Sequence, residues 1–268
     1  MAYQKRMLLK GNEAAVYGAL LAGCDCYFGY PITPASEIAQ SAALLFPKLN
    51  RTFVQAESEI GAINMVIGCI ASGRRAMTAS SGLGISLKQE AMSYLAAYEM
   101  PAVVVDVMRG GPGLGNIAPE QADFQVVKGG GHGSYRCLVF TPNSVQEMCD
   151  MTYQAFTMSE KYRMPAYVLT DGVIGQMMES LELPEPVKYD YAPEWRMGNI
   201  VNGEANCISS IYMEPNDLEA LNHKLQAKYA LIEETEQSVE ELYVDDAELV
   251  LVAYGISSRV SQGAVEQL

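Results

Sequence analysis

The sequence predicts an α/β fold, a doubly wound and mostly parallel sheet, and three observations carry that expectation. Short apolar runs rich in Val, Ala, Phe and Tyr recur at 26–29, 52–55, 76–79, 102–108, 136–140 and 166–170. Helix-like segments lie between them at 11–23, 35–46, 58–72, 84–98, 119–128 and 144–161. The loops between are short, and each parallel crossover needs a covering element, so the sheet should be sheathed on both faces.

Individual elements carry local signals. The first apolar run, Cys26 to Phe28, stops at Gly29-Tyr30, and a new helix starts near Ser36-Glu37. Between them Pro31 and Pro34 bracket Ile32-Thr33 and make a stiff platform for the Thr33 hydroxyl. Segment 58–72 carries Ala62 and Gly68, with Gly73 just beyond, small residues that let a helix lie close to a neighbour or a flat ring. Segment 144–161 opens with Asn143-Ser144 as N-cap and places Val145, Met148, Met151, Thr152 and Ala155 at helical spacing. Beyond Pro184-Glu185-Pro186 the pattern loosens. "YDYAPEWRMGNIVNG" reads as a long connection holding the sole tryptophan, Trp195, and 216–242 reads as one long acidic helix. "AELVLVAYGISSRVSQGAVEQL" reads as a strand at 248–254, a glycine turn, a serine cap and a helix. One such unit cannot bury its own apolar face, so a further domain is expected to continue past Leu268. The expected divisions are 1–186, an acidic linker with a long helix at 187–245, and the opening unit of a second α/β domain at 246–268.

Composition excludes several function classes. The net charge of −14 is uneven: residues 1–180 hold 15 acids and 13 bases, whereas 181–250 hold 16 acids and 4 bases. There is no basic stripe for nucleic acid. The acidic region is either a solvated helix face or a docking surface for a basic partner. No stretch approaches the roughly 18 uninterrupted apolar residues of a membrane span, and the opening residues lack the apolar core of a secretory signal, so a cytoplasmic protein is expected. The cysteines at 24, 26, 69, 137, 149 and 207 are scattered, as in a reduced protein with buried thiols. Cys24-x-Cys26 lacks the spacing of a zinc or iron–sulfur site, and two histidines, His132 and His223, are too few for a histidine-rich metal centre.

In a doubly wound sheet, ligands sit at the carboxyl ends of the strands. Four stretches fall there: "GYPITP" (29–34), "QAESEIGAINMVIGCIASG" (55–73), "SSGLG" (80–84) and "MRGGPGLG" (108–115). Glu57 and Glu59 are either ordinary first-turn acids, favoured by the helix dipole, or one of them meets a heteroaromatic nitrogen in a partly dry cleft and shares a proton there. Arg109, beside four glycines, either grips a carboxylate through two parallel N–H bonds or makes a surface ion pair. "GGPGLG" is neither a dinucleotide fingerprint nor a P-loop. In "KGGGHGSYR" (128–136), His132 either donates a proton or caps a turn, and three consecutive glycines favour the turn.

Taken together, these motifs resemble the alpha subunit of the 2-oxoacid:ferredoxin oxidoreductases, thiamine diphosphate enzymes that also use coenzyme A and iron–sulfur clusters. The likeness covers about residues 7–186 and resumes at "LVLVAYGISSRV". "YPITP" and "SEIGA" are similar to the family's signatures, and "MRGGPGLGNIAPEQAD" with "VKGGGHG" is most similar to the 2-ketoisovalerate (3-methyl-2-oxobutanoate) type. The resemblance implies a pyrimidine-binding domain at 1–186 and a transketolase-C-terminal-like domain opening at 246–268. It implies that Glu59 hydrogen-bonds the aminopyrimidine N1′, favouring the tautomer whose 4′-amino group takes up the C2 proton while the thiazolium acts as electron sink. Tyr30, Pro31, Ile32, Ser81 and Gly82 would line the cofactor, Thr33 would hydrogen-bond the substrate, and Arg109 would hold its carboxylate until CO2 leaves.

The cofactor's diphosphate and Mg²⁺ need a G-D-G…N segment, and the chain offers only "TDGVIG" (170–175), with no ferredoxin-type cysteine run. The resemblance therefore implies half an active site. A beta-type subunit would supply the diphosphate site and Mg²⁺, a gamma-type subunit and a ferredoxin-like subunit with 4Fe-4S clusters would complete the complex, and ferredoxin would take the electrons. The expected reaction is oxidative decarboxylation of branched-chain 2-oxoacids to acyl-CoA. The alternatives are the same machinery acting on 2-oxoglutarate or pyruvate, or a non-catalytic flavodoxin-like binding module.

Overall fold

A computed structural model describes residues 6–187 and 193–267. The chain opens with β1 (Arg6–Lys10), α1 (Gly11–Leu21) and β2 (Cys26–Gly29), followed by α2 (Ser36–Leu45), β3 (Thr52–Gln55), α3 (Glu59–Ala71) and β4 (Ala76–Ser80). Two short helices, α4 (Leu83–Leu87) and α5 (Gln89–Ala97), lead to β5 (Val103–Met108), α6 (Phe124–Gly129) and β6 (Leu138–Phe140). Then come α7 (Val145–Tyr162), β7 (Ala166–Asp171), α8 (Gly172–Gln176) and β8 (Met178–Glu182). A small hairpin of β9 (Ile200–Val201) and β10 (Glu204–Ala205) precedes α9 (Pro215–Thr235) and α10 (Gly255–Val265).

Six strands form one parallel sheet in the order β3–β2–β4–β5–β7–β6. The central strands "VVVDVM" and "AYVLTD" are buried along their whole length, as parallel strands covered on both faces must be. One core lies between the sheet and α1, α2 and α7, built on Val16, Ile38, Met148 and Phe156. The other lies under α3 and α5, built on Ile63, Val66, Met92 and Leu95. Each such side chain contributes about 1.5–3 kcal/mol by leaving water. Ser144 caps α7 as the sequence predicts, accepting the Glu147 N–H at 3.1 Å.

The six strands predicted between residues 26 and 170 all form, and the departures lie elsewhere. β1 and β8 make a separate antiparallel pair that the sequence reading misses, because both are short and only partly buried. Segment 84–98 is not one helix but two, α4 and α5, broken at Lys88, whose N–H donates to Ile85 at 3.1 Å in a tightened turn. Segment 119–128 becomes helical only from Phe124, because Pro119 pairs with Arg109 in an isolated bridge. The long acidic helix ends at Thr235 rather than 242, where Glu236 is held by Lys161 and Tyr162.

The acidic helix α9 is tied to the body of the protein partly through its lysines. Lys224 and Lys228 both pair with Glu99, the second at 2.8 Å, while Leu225 and Tyr229 are buried in the first core. Residues 189–192 of the predicted 189–203 connection lie outside the described residues; in the rest, Trp195 sits under the Arg163 guanidinium, 5.1 Å from ring centre. No strand forms at 248–254, and Leu249, Leu251 and Val252 are exposed, since a strand needs a paired edge and no described strand pairs with this segment. Among the described residues no helix is long and apolar enough to cross a membrane.

The close approach of α1 to α7 rests on a missing side chain: a Cβ on Gly18 would fall 2.2 Å from the Cys149 carbonyl oxygen. Gly18→Ala should push the two helices apart and cost about 1–3 kcal/mol or more, measured by urea unfolding. An unchanged midpoint and slope would show that this contact is not needed.

Candidate active site

A doubly wound sheet opens a crevice where successive crossovers leave to opposite sides. Here α2 carries the chain from β2 outward to β3, and α3 brings it back past β2 to β4, so the reversal lies between β2 and β4. The residues leaving those two strands are Tyr30–Pro34 and Ser81–Gly84, and the helix that crosses between them begins with Glu59.

Ser58 caps α3 by accepting the Gly61 N–H at 3.1 Å, which fixes Glu59 as the first helical residue. Its exposure is 6%, low for a carboxylate. Glu57 is exposed and accepts the Ser58 hydroxyl at 2.7 Å, a bond that holds its carboxyl below the usual value. The structure thus separates two acids that the sequence leaves equivalent. Glu59 fits its place because position 84 is glycine: a Cβ there would fall 2.2 Å from Ser80 Oγ and 2.8 Å from Glu59 Oε1.

Beneath this rim lies a set of buried polar groups that sequence reasoning misses. Ser80 and Asp106 are register partners on β4 and β5, so they share the face covered by α3 and α5. Asp106 is fully buried, with no hydrogen-bond partner on either oxygen among the described residues, and burial raises its carboxyl well above the usual range. Lys88, placed inward by the break between α4 and α5, is also fully buried and unpartnered at Nζ. Burial pushes its ammonium down to about 8 against the opposing pull of Glu59 and Asp106. The Ser80 and Ser81 hydroxyls are likewise buried without a partner among the described residues. The acid inside "VVVDVM" was a visible signal for Asp106; nothing in the sequence marked Lys88, because the helix break was not legible.

On the outer side of the rim, Arg109 follows β5 and donates to the Thr33 carbonyl at 2.9 Å and the Leu114 carbonyl at 3.0 Å. Its stem runs beside Gly82, whose N–H donates to Asp123 at 3.1 Å. Burial raises the Asp123 carboxyl, opposed by that N–H and by Arg109. Tyr30, Pro31 and Thr33 are exposed and Ile32 is half-buried. From behind, the buried Asn12 donates to the Pro34 carbonyl at 2.8 Å and to Glu37 at 3.1 Å, and Gln176 donates to Glu37 at 2.8 Å. The loop is thus fastened on its inner side with its outer side open.

His132 is exposed, edge-on to the Tyr94 ring with centroids 6.1 Å apart, and its carbonyl accepts the Ser93 hydroxyl. In "TDGVIG", Asp171 caps two helices: it accepts Val173 and Ile174 N–H at 2.8 and 3.1 Å, and Ile256 N–H at 3.1 Å. A cavity of about 500 Å³ lined by Tyr98, Arg163, Trp195 and Tyr212 lies between α5, α9 and the 193–212 segment, away from this rim. The rim itself offers the Arg109 guanidinium to an anion and a buried carboxylate at Glu59. Its unpartnered serine hydroxyls and the Glu59 carboxylate, with no Cβ at position 84 to fill the space, fit a heterocycle bearing ring nitrogens.

Comparison with known proteins gives a consistent picture. The family model described as "Pyruvate flavodoxin/ferredoxin oxidoreductase, thiamine diP-bdg" matches residues 17–241. Ketoisovalerate oxidoreductase subunit VorB of Methanothermobacter thermautotrophicus is 59% identical over 262 residues, covering 97% of this chain and 74% of that one. 2-Oxoglutarate synthase subunit KorA of Archaeoglobus fulgidus is 39% identical over 267 residues, covering 97% and 76%. Among solved structures, the 2-oxoglutarate:ferredoxin oxidoreductase from Magnetococcus marinus, with 2-oxoglutarate, coenzyme A and succinyl-CoA bound, superposes with a TM-score of 0.89 at 27% identity. The match covers 99% of this chain and 52% of that chain.

Asp106 gives the fold a distinctive pH dependence. Its folded value is raised, so it stabilises the fold below about pH 4, the unfolded value, and that contribution is lost as pH rises toward the folded value. Asp106→Asn mimics the protonated acid and should gain stability relative to the parent between about pH 4 and pH 7, by up to about 1.4 kcal/mol per unit. Parallel urea unfolding curves across that range would contradict the raised value.

Proposed function

The chain belongs to the thiamine-diphosphate-binding pyruvate flavodoxin/ferredoxin oxidoreductase family, and we propose that it provides the pyrimidine side of an active site that oxidatively decarboxylates branched-chain 2-oxoacids, with ferredoxin as electron acceptor and coenzyme A as acyl acceptor. An oxidoreductase subunit, not a non-catalytic binding module, is what that family membership gives. The observation that carries the reading is the buried Glu59 carboxylate at the sheet reversal, against Gly84 and Ser80. The branched-chain assignment is supported by the 59% identity to a ketoisovalerate subunit against 39% to a 2-oxoglutarate one.

In this reading Glu59 hydrogen-bonds the pyrimidine N1′, at a site dry enough for the bond to matter. Tyr30, Pro31, Ile32, Ser81 and Gly82 line the ring, with the Gly82 N–H held by Asp123 and the Pro34 carbonyl at the loop's end held by Asn12. Thiamine diphosphate, when bound, supplies a nucleophilic carbon and an electron sink. Arg109 keeps donors beyond the two engaged with Thr33 and Leu114, and a substrate carboxylate bridges them in the two-pronged way guanidinium favours. Thr33 presents its hydroxyl to the same substrate.

The rest of the assembly comes from partners. Asp171 is already engaged by three backbone N–H groups, which supports placing the diphosphate site and Mg²⁺ on a beta-type subunit. Ile60 and Met65 are exposed on α3 beside Glu59 and suit a subunit contact there. A gamma-type subunit and a ferredoxin-like subunit carrying 4Fe-4S clusters complete the complex, which works in the cytoplasm. Residues 1–186 form the pyrimidine-binding unit, 187–245 the acidic segment and 246–268 the opening of a further unit.

Two substitutions test the assignment in the complex, assayed anaerobically by 2-oxoacid-dependent dye reduction. Glu59→Ala should lower turnover by about two to four powers of ten; near-normal turnover removes Glu59 from the chemistry. Arg109→Ala should mainly raise the KM for the 2-oxoacid, and an unchanged KM counts against a carboxylate clamp. In the same assay ketoisovalerate should be preferred to 2-oxoglutarate and pyruvate; the reverse order transfers the machinery to the other substrate.

A further inference from the structure

The buried groups under the rim bear on how Glu59 works, and the inference rests on the reading of Glu59 above. We propose that Lys88 is a positioning residue acting through Glu59: its buried ammonium, one helical turn beyond Gly84, where a Cβ would meet the Glu59 carboxylate, fixes the charge that Glu59 presents at the rim. Three independent features carry this. Lys88 is fully buried with no hydrogen-bond partner among the described residues, although a desolvated ammonium costs several kcal/mol unless an opposite charge answers it. It reaches this place only because the chain breaks between α4 and α5 at Lys88 itself, so the fold gives up a continuous helix there. Gly84, four residues before Lys88, leaves the room that Glu59 occupies: a Cβ there would fall 2.8 Å from Glu59 Oε1 and 2.2 Å from Ser80 Oγ.

The ionisable groups around Lys88 come from every element packed on it. Glu59 faces it from α3 and Asp106 from β5; Asp123 lies beyond Asp106, with Arg109 acting on Asp123, and Tyr167 stands on β7 beside Asp106. Burial disfavours the charged form of Asp106, and of the two acids that act on the ammonium Glu59 acts the more strongly. An ammonium released near pH 8 sits close to working conditions, where a change of charge on Glu59 is felt at once. Coupling between two titrating groups is reciprocal: whatever Glu59 does to Lys88, Lys88 does to Glu59 by the same factor.

That reciprocity makes the lysine the reporter. The full-length subunit, labelled with ¹³C at lysine Cε, is titrated by NMR as parent, Glu59→Gln and Asp106→Asn, with Lys88 assigned by Lys88→Met. Glu59→Gln should move the Lys88 midpoint from about 8 to lower pH by roughly one unit or more, a tenfold change in proton affinity, and Asp106→Asn should move it less. If Glu59→Gln leaves the midpoint in place, or Asp106→Asn moves it further, Lys88 answers the core acid and the proposal fails. This readout needs no cofactor, so it stands or falls apart from the assignment of Glu59 to the pyrimidine. In the complex, Lys88→Met should lower kcat about tenfold or more with the 2-oxoacid KM within about threefold; unchanged kcat in the assembled variant also overturns the proposal.

Discussion

The structure turns on one carboxylate held out of water at the start of a helix. A buried acid is costly unless donors and charges answer it, and here the answer is built from four separate parts of the chain. The sheet reversal between β2 and β4 opens the place, Ser58 sets the helix start, Gly84 yields the room, and Lys88 with Asp106 supplies buried charge and protons behind it. Glu57, two residues away, has none of this around it and sits exposed.

The rim is made in two layers with different physics. Outside, Tyr30, Pro31, Thr33 and Arg109 face water, and their geometry is maintained by backbone bonds, above all the grip of Arg109 on the Thr33 carbonyl. Inside, Asn12, Glu37 and Gln176 fasten the same loop from the protein interior. A loop tied from behind and open in front suits a ligand that approaches from outside, which agrees with a cofactor shared between subunits. The engagement of Asp171 as a double helix cap fits the same division of labour, since a carboxylate accepting three N–H groups has little capacity left for a metal.

Much of this was legible in the sequence because strand periodicity and strand-end motifs are local signals. The six strands, the capped α7 and the convergence of "GYPITP", "SSGLG" and "MRGGPGLG" all follow from runs of neighbouring residues. What escaped depends on tertiary context. Residues 84–98 carry an unbroken helical pattern, so the break that sends Lys88 inward was invisible, and with it the buried charge cluster. Segment 248–254 has the composition of a strand, but no described strand pairs with it, so composition alone misleads there. Spacing alone left Glu57 and Glu59 open; the likeness of "SEIGA" to a family signature pointed to Glu59, which is the buried one of the two.

The most direct measurement is a structure of the assembled complex with thiamine diphosphate bound. The account predicts the Glu59 carboxylate within hydrogen-bonding reach, roughly 2.6–3.2 Å, of the pyrimidine N1′, with the diphosphate tail held by a different polypeptide. A carboxylate turned away from the ring, or a complete diphosphate cradle within this chain, would contradict it.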